Sequence, residues 1–136
     1  MANEYVRNQR DADLEVVKAL PAANANHNTD ALDLEQTVGG QIEAIAFEVE
    51  IPALPNLVED KVVTIKVQDS ADNSSFADID PLISTTVTGG VGNGAAAKSV
   101  RFRLPPTARR YIALNIAVQA DGGNNTASNI TFRALL

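Results

Sequence analysis

The sequence predicts an all-β protein: a single-domain antiparallel β-sandwich or jelly roll of about eight strands, preceded by an extended N-terminal arm. Apolar side chains recur at every second position in most segments after residue 30, and clusters of Gly, Pro, Asn and Asp separate these segments. No long helical pattern is present, and an open barrel is the main alternative. The length of 136 residues fits one domain, so the chain divides into an arm, 1–12, and a sandwich domain, 13–136.

The N-terminal quarter of the chain carries the weakest strand signals. Residues 1–12 are polar and aperiodic, which is typical of an arm or tail. Residues 13–20 alternate loosely and fit either a strand or a short helical turn. Residues 21–30 are rich in Pro and Asn and predict a loop, whereas 31–34 predict a short strand. A Val-Gly-Gly turn is expected at 38–40.

The central segments alternate clearly. Residues 41–51 and 61–69 each place apolar side chains on one face and polar side chains on the other, as in a half-buried antiparallel strand. A polar turn, 70–75, leads to two short strands expected at 76–79 and 82–88. The inward positions are Ile45, Phe47, Val49, Ile51, Val63, Ile65 and Val67.

The C-terminal third repeats this pattern after a Gly-rich loop, 89–97. Strands are predicted at 99–104, 110–120 and 128–136, with a strong Asp-Gly-Gly-Asn-Asn turn signal before the last of them. The inward positions are Val100, Phe102, Leu104, Ile112, Leu114, Ile116, Val118, Ile130, Phe132 and Ala134.

Composition excludes several kinds of chemistry. With no Cys, the chain has no disulfide, thiolate metal site or Cys nucleophile, and with His27 as its one histidine it has no His-cluster metal site. His27 lies in an Asn-rich stretch, which favours a solvated or hydrogen-bonded loop residue, and no Gly-x-Ser-x-Gly elbow accompanies it. We therefore expect a protein that is not an enzyme and needs no cofactor.

Two further partners are disfavoured. No apolar run approaches the roughly 18 residues of a membrane span, and the polar N-terminus does not resemble a secretory signal. The net charge of −6 argues against direct nucleic-acid binding.

The charge is divided unevenly along the chain. Residues 1–90 hold 16 acidic and 5 basic residues, a net charge of −11, whereas residues 91–136 hold 6 basic and 1 acidic residue, a net charge of +5. Two interpretations remain open: cross-strand ion pairs within the fold, or a basic patch that meets an acidic patch on the next subunit or on the shell. The candidate interface residues are Arg101, Arg103, Arg109, Arg110, Arg133, Glu48 and Glu50.

An acidic turn supplies a weak calcium candidate, because Ca²⁺ prefers clustered oxygen ligands. Its residues are Asp69, Asp72, Asp78 and Asp80. The spacing is not that of an EF-hand, and Asp is also a common turn former for local backbone reasons, so the favoured expectation is no metal. The Gly-rich stretch 89–94 lacks the Lys-Ser/Thr ending of a phosphate-binding loop and is interpreted as a mobile loop.

Three stretches resemble small β-sandwich structural proteins of tailed bacteriophages. They are DLEVVKALPAANANHNTDALDLE at 13–35, KVQDSADNSSFADI at 66–79 and LPPTARRYIALNIAV at 104–118. The most similar group is the jelly-roll capsid cement, or decoration, proteins. That family has no catalytic residues to transfer to this chain.

The resemblance implies a non-enzymatic virion protein, made in the host cytoplasm and placed on the outer capsid surface. It implies the major capsid protein as partner and a homo-oligomer, with a trimer favoured. Two expectations stand side by side for the N-terminal arm: a disordered polar terminus, or an arm that reaches across to a neighbour and orders on binding, with Tyr5 and Val6 as its anchors. The alternative is a carbohydrate-binding or tail- or fibre-associated module, which the absence of Trp disfavours.

Overall fold

The computed structural model describes residues 10–34 and 46–135, with side chains described from residue 14 onward. Ten strands and no helix lie in these ranges. The strands are β1 (Arg10–Ala19), β2 (Ala25–Asn28), β3 (Leu32–Asp33), β4 (Ala46–Ile51), β5 (Val62–Ser70), β6 (Ala77–Asp78), β7 (Ser84–Thr88), β8 (Lys98–Arg103), β9 (Tyr111–Val118) and β10 (Asn129–Leu135). The described residues thus contain no helix of the length and apolarity that a membrane crossing requires.

The strands form two antiparallel sheets. Sheet I has the order β1-β10-β4-β8. Sheet II has the order β2-β9-β5-β6, with β3 also pairing with β9 and β7 also pairing with β5. The predicted all-β sandwich is therefore confirmed.

The strand pairing is that of a jelly roll. Strands from opposite ends of the chain pair in succession: β1 with β10, β2 and β3 with β9, and β4 with β8. The innermost pair is β5 with β6 and β7. Because β2 and β3 share one partner, as do β6 and β7, the ten strands correspond to the eight positions of a jelly roll, folded from one long antiparallel ribbon.

The core lies between the sheets, where the period-two pattern places it. Phe47 and Phe132 are fully buried and stack with Phe102, with ring centroids 5.6–6.1 Å apart. Facing them, sheet II contributes Ile65, Ile116 and its other inward aliphatic side chains. The inward faces predicted for 46–51, 61–69, 99–104, 110–120 and 128–135 are confirmed.

The strands of the N-terminal region differ from the sequence prediction. Residues 21–30, predicted as a loop, contain β2, and the ambiguous stretch 13–20 belongs to β1 up to Ala19. That strand begins at Arg10, so the arm predicted as 1–12 overlaps it. The remainder of the arm, the turn at 38–40 and the beginning of the 41–51 segment lie outside the described residues.

Candidate functional site

The outer face of sheet I carries an ion network centred on Arg133. Its guanidinium lies 2.8 Å from Glu15, 2.7 Å from Glu48 and 2.6 Å from Glu50, measured between nitrogen and carboxylate oxygen. Arg133 is only 7% exposed and Glu48 only 5% exposed, so the central pair of the network is buried. These side chains join neighbouring strands to one another through ion pairs.

Strand register explains why the network forms. Glu15, Arg133, Glu48 and Arg101 occupy directly opposed positions on β1, β10, β4 and β8. Directly opposed side chains lie on the same face of a sheet, so the charges alternate in sign across all strands of sheet I. Burial alone would lower the pKa of Arg133, but its hydrogen bonds with the three glutamates outweigh burial, and the pKa lies above its usual value.

Two further arginines are held by acidic residues of sheet II. The Arg109 side chain donates two hydrogen bonds to one carboxylate oxygen of Asp69, at 2.8 and 3.1 Å, and the Arg109 backbone N–H donates to the other at 3.0 Å. Hydrogen bonding to Asp69 raises the pKa of Arg109. Arg110 forms a two-pronged contact with Asp33, at 2.7 and 2.9 Å, and its guanidinium lies 5.1 Å from the Tyr111 ring centroid.

The structure brings together most of the charged residues that the sequence singled out, but within the fold. Arg109, Arg110 and Arg133 form internal ion pairs, as the first of the two interpretations predicts. Arg101 lies 3.4 Å from Glu48, yet its side chain remains 59% exposed, and Arg103 is also exposed. Arg101 and Arg103 thus present exposed basic side chains on β8.

The other predicted contacts of this interface concern the arm. Tyr5 and Val6 lie outside the described residues, so their assignment stays a prediction.

The acidic turn does not form a shared cation site in the described residues. Asp69 binds Arg109, and Asp78 accepts a hydrogen bond from Gln68. Asp72 accepts hydrogen bonds from the backbone N–H groups of Ser74 and Ser75 and from the Ser70 hydroxyl, and these bonds lower its pKa. No group of three or more acidic or histidine side chains within the described ranges could hold a metal ion. The exposed side chain of Asp80 belongs to no such group.

The outer face of sheet II carries a ladder of amide side chains. Asn115 donates hydrogen bonds to Asn26 and Asn28, at 3.1 and 2.8 Å. Asn28 donates to Gln68 at 3.0 Å, and Gln68 donates to Asp78 at 2.9 Å. We call these residues the amide ladder; it crosses β2, β9, β5 and β6 in turn.

One lateral edge of the sandwich is closed. There β1 of sheet I faces β2 and β3 of sheet II, and Leu20, Leu32 and Leu34 are all buried. The His27 ring Nε2–H donates to the Ala19 carbonyl oxygen at 2.7 Å and so links the two sheets. The sequence predicted a loop position for His27, but His27 lies on β2. The hydrogen bond to Ala19 agrees with the hydrogen-bonded role that the sequence predicted.

The opposite lateral edge is open. There β8 of sheet I faces β7 of sheet II across a small apolar cleft of about 20 Å³ that opens to solvent. We call it the edge cleft; its walls are Val49, Val100 and Phe102 on one side and Ile65, Val67, Ile83, Ser84, Thr85 and Leu114 on the other. The sequence analysis missed this cleft, because alternation identifies inward side chains without showing whether another strand covers them.

Comparisons with known proteins identify the fold and no family. No protein-family model matches the chain, and no curated protein matches its sequence. Among solved structures, the chain is similar to XepA, a PBSX exported protein, with a TM-score of 0.51 and 13% identity over 88% of this chain and 36% of XepA. It thus spans about a third of that protein.

Two other solved structures are less similar. A carbohydrate-binding module, CBM4, gives a TM-score of 0.47 and 12% identity, over 85% of this chain and 63% of that chain. Desmodium yellow mottle tymovirus gives 0.43 and 10%, over 99% of this chain and 92% of that chain. At such identities the likeness to XepA shows a shared fold alone, and the chain is accordingly placed in the class of jelly-roll-like β-sandwich proteins.

Proposed function

We propose that this chain is a structural virion protein that binds the outside of a phage capsid shell. It would stabilise the shell by bridging neighbouring capsid subunits, with the major capsid protein as its partner and a homotrimer as its assembled form. A protein that binds the assembled shell but not its separated subunits stabilises the shell by mass action. Several weak contacts made at once at a symmetry axis give a much higher overall affinity than each contact has by itself.

The observation that carries this proposal is where the structure places the three phage-like segments. Residues 13–35 supply β1, β2 and β3, residues 66–79 supply the end of β5 with β6, and residues 104–118 supply β9. In sheet II, β9 lies between β2 and β5, so the three segments adjoin one another.

Their charged residues also bind one another. Arg109 of the third segment binds Asp69 of the second, and Arg110 of the third binds Asp33 of the first. The residues that carry the resemblance therefore have a structural role in the fold, which suits a protein whose task is mechanical.

The test is binding to empty shells. Purified chain is first sized by light scattering, where a trimer has three times the 14.4 kDa chain mass. It is then mixed with empty shells of the major capsid protein encoded in the same genome. We expect co-sedimentation that saturates and raises the melting temperature of the shell; no co-sedimentation at any ratio would contradict the proposal.

A second candidate function is carbohydrate binding, and the amide ladder is the observation that favours it. Asn115 and Tyr111 lie on the same face of β9, so the amide ladder offers hydrogen bonds to a sugar and Tyr111 offers a partly exposed ring. A glycan array compares the chain with an Asn115→Ala, Tyr111→Ala variant. Binding that the variant loses would favour this function; an array without signal would remove it.

A further inference from the structure

The edge cleft brings together strand edges without a described strand partner and apolar side chains that are only half-buried. Within the described residues β8 pairs with β4 alone and β7 pairs with β5 alone, so each has an outer side without a strand partner. Between them Val100, Phe102 and Ile83 are only half-buried. An edge strand beside an incompletely covered core offers both main-chain hydrogen bonds and apolar burial to a segment that adds to the sheet.

The ends of the edge cleft differ. Lys98 lies opposite Ile51, on the same inward side as Val100 and Phe102, and its Nζ donates to the Thr86 carbonyl oxygen at 3.1 Å. This contact joins β8 to β7 at one end of the cleft. An added strand would therefore seat toward the Phe102 end.

The outer side of β8 has a definite charge. Arg101 and Arg103 project from the outer face, and both are exposed. In an added strand, side chains that alternate with the inward ones would lie beside these two arginines. Acidic side chains at those positions would be attracted, and basic ones repelled.

We propose that β8 and the edge cleft form a docking site for an extended protein segment that alternates apolar with acidic residues and adds to sheet I as a fifth strand. The proposal deepens the proposed function and rests on it for the source of the segment, which is the major capsid protein. Its apolar side chains cover the cleft and the partly exposed ring of Phe102, and its acidic side chains lie beside Arg101 and Arg103.

A second copy of this chain fits the site less well. Pairing β8 with the same strand of another copy would set Arg101 and Arg103 against the same basic residues. Like charges on opposed strands are destabilising. The basic edge therefore disfavours self-association through β8 and favours an acidic partner there.

The test is a charge swap with synthetic peptides. Two peptides of equal length alternate valine with glutamate or valine with lysine, and calorimetry measures their binding to the full chain. We expect the glutamate peptide to bind about tenfold more tightly, since two exposed ion pairs favour it and two like-charge contacts disfavour its counterpart. The variant Arg101→Glu, Arg103→Glu should reverse that preference.

Two variants serve as controls. Lys61→Glu with Lys66→Glu makes the same change of charge at β5 and just before it, and should leave the preference unchanged. Thr85→Phe places a ring in the edge cleft and should abolish binding of both peptides. Reversal of preference cannot arise from misfolding, because a misfolded variant would bind neither peptide selectively. Equal affinity of the two peptides, or an unreversed preference, would overturn the proposal.

Shell binding separates this site from the proposed function. If wild type binds empty shells and the Arg101→Glu, Arg103→Glu and Thr85→Phe variants bind them equally well, the function stands and the docking site is wrong. If the peptides bind as expected but wild type does not bind shells, the site stands and the proposed function is wrong.

Discussion

The two lateral edges of the sandwich differ in how completely their apolar side chains are covered. At the closed edge, Leu20 and Leu32 are each 1% exposed, and His27 links the sheets. At the open edge, Phe102 and Ile83 are half-buried around a cleft. Burial of apolar surface is favourable in proportion to the area removed from water. A partner that covers the open edge would therefore gain binding free energy from the apolar surface still exposed there. The difference indicates that the edge between β8 and β7 has apolar surface available for contact.

The largest expected effect concerns the network that joins the two edges across sheet I. Arg133→Met leaves Glu48 buried without its main partner, which costs about 3–5 kcal/mol of folding free energy. The matched control, Arg101→Met, removes an exposed partner of the same glutamate and should cost about 1 kcal/mol or less. Urea unfolding of both variants measures this contrast; equal losses would show that burial does not set the value of these pairs.

The next effect compares apolar truncation at each edge. Leu32→Ala at the closed edge should cost about 2–5 kcal/mol, because a fully buried side chain leaves a cavity. Ile83→Ala at the open edge should cost clearly less, since Ile83 is only partly buried. Denaturant titration of both variants, with equal dependence of the unfolding free energy on denaturant concentration, measures the two losses through the shift of each midpoint. An Ile83→Ala variant that loses as much as Leu32→Ala would mean that the cleft is effectively closed.

A smaller effect concerns the polar links between the sheets. His27→Phe removes the hydrogen bond to Ala19 and should cost about 1 kcal/mol. Lys98→Met removes the more exposed link to Thr86 and should cost less. Thermal unfolding ranks the two variants; the reverse order would contradict the assignment of closed and open edges.

The smallest effect is a pH dependence in the turn that leads the chain to the open edge. The pKa of Asp72 lies below its ordinary 3.8 because Ser75, Ser74 and Ser70 hydrogen-bond to its carboxylate. The ionised group therefore stabilises the fold above pH 3.8, and this contribution is lost as the pH falls through the lowered folded-state pKa. Asp72→Asn should be less stable than wild type at neutral pH and converge with it in acid. A constant difference would show that the charge has no part in the turn.

Alternation predicted the inward faces of β5, β8, β9 and β10 because each has one face on the core. It missed β2, whose residues include Asn26 and Asn28, because Asn disfavours strands locally. Pairing with β9 overrides that preference, and both side chains hydrogen-bond to Asn115. The partner of β2 lies far along the chain, so no local pattern reveals it.

The charge pattern shows a related limit. The sequence separates an acidic part from a basic part, but the jelly-roll ribbon pairs strands from opposite ends of the chain. Asp33 consequently meets Arg110, and Glu48 meets Arg133. Acidic and basic residues that are separated along the chain are therefore neighbours in the fold. The edge cleft likewise depends on which strands lie at the borders of the sheets, which no local pattern shows.

Hydrogen exchange of the chain, free and bound to empty shells, shows which edge of the sandwich contacts the shell. We expect amides of β8, residues 98–103, to become protected on the shell while amides of the opposite edge strand, β1, exchange as in the free chain. Protection of β1 with no change at β8, or no change at either edge in a chain that co-sediments with shells, would contradict this expectation.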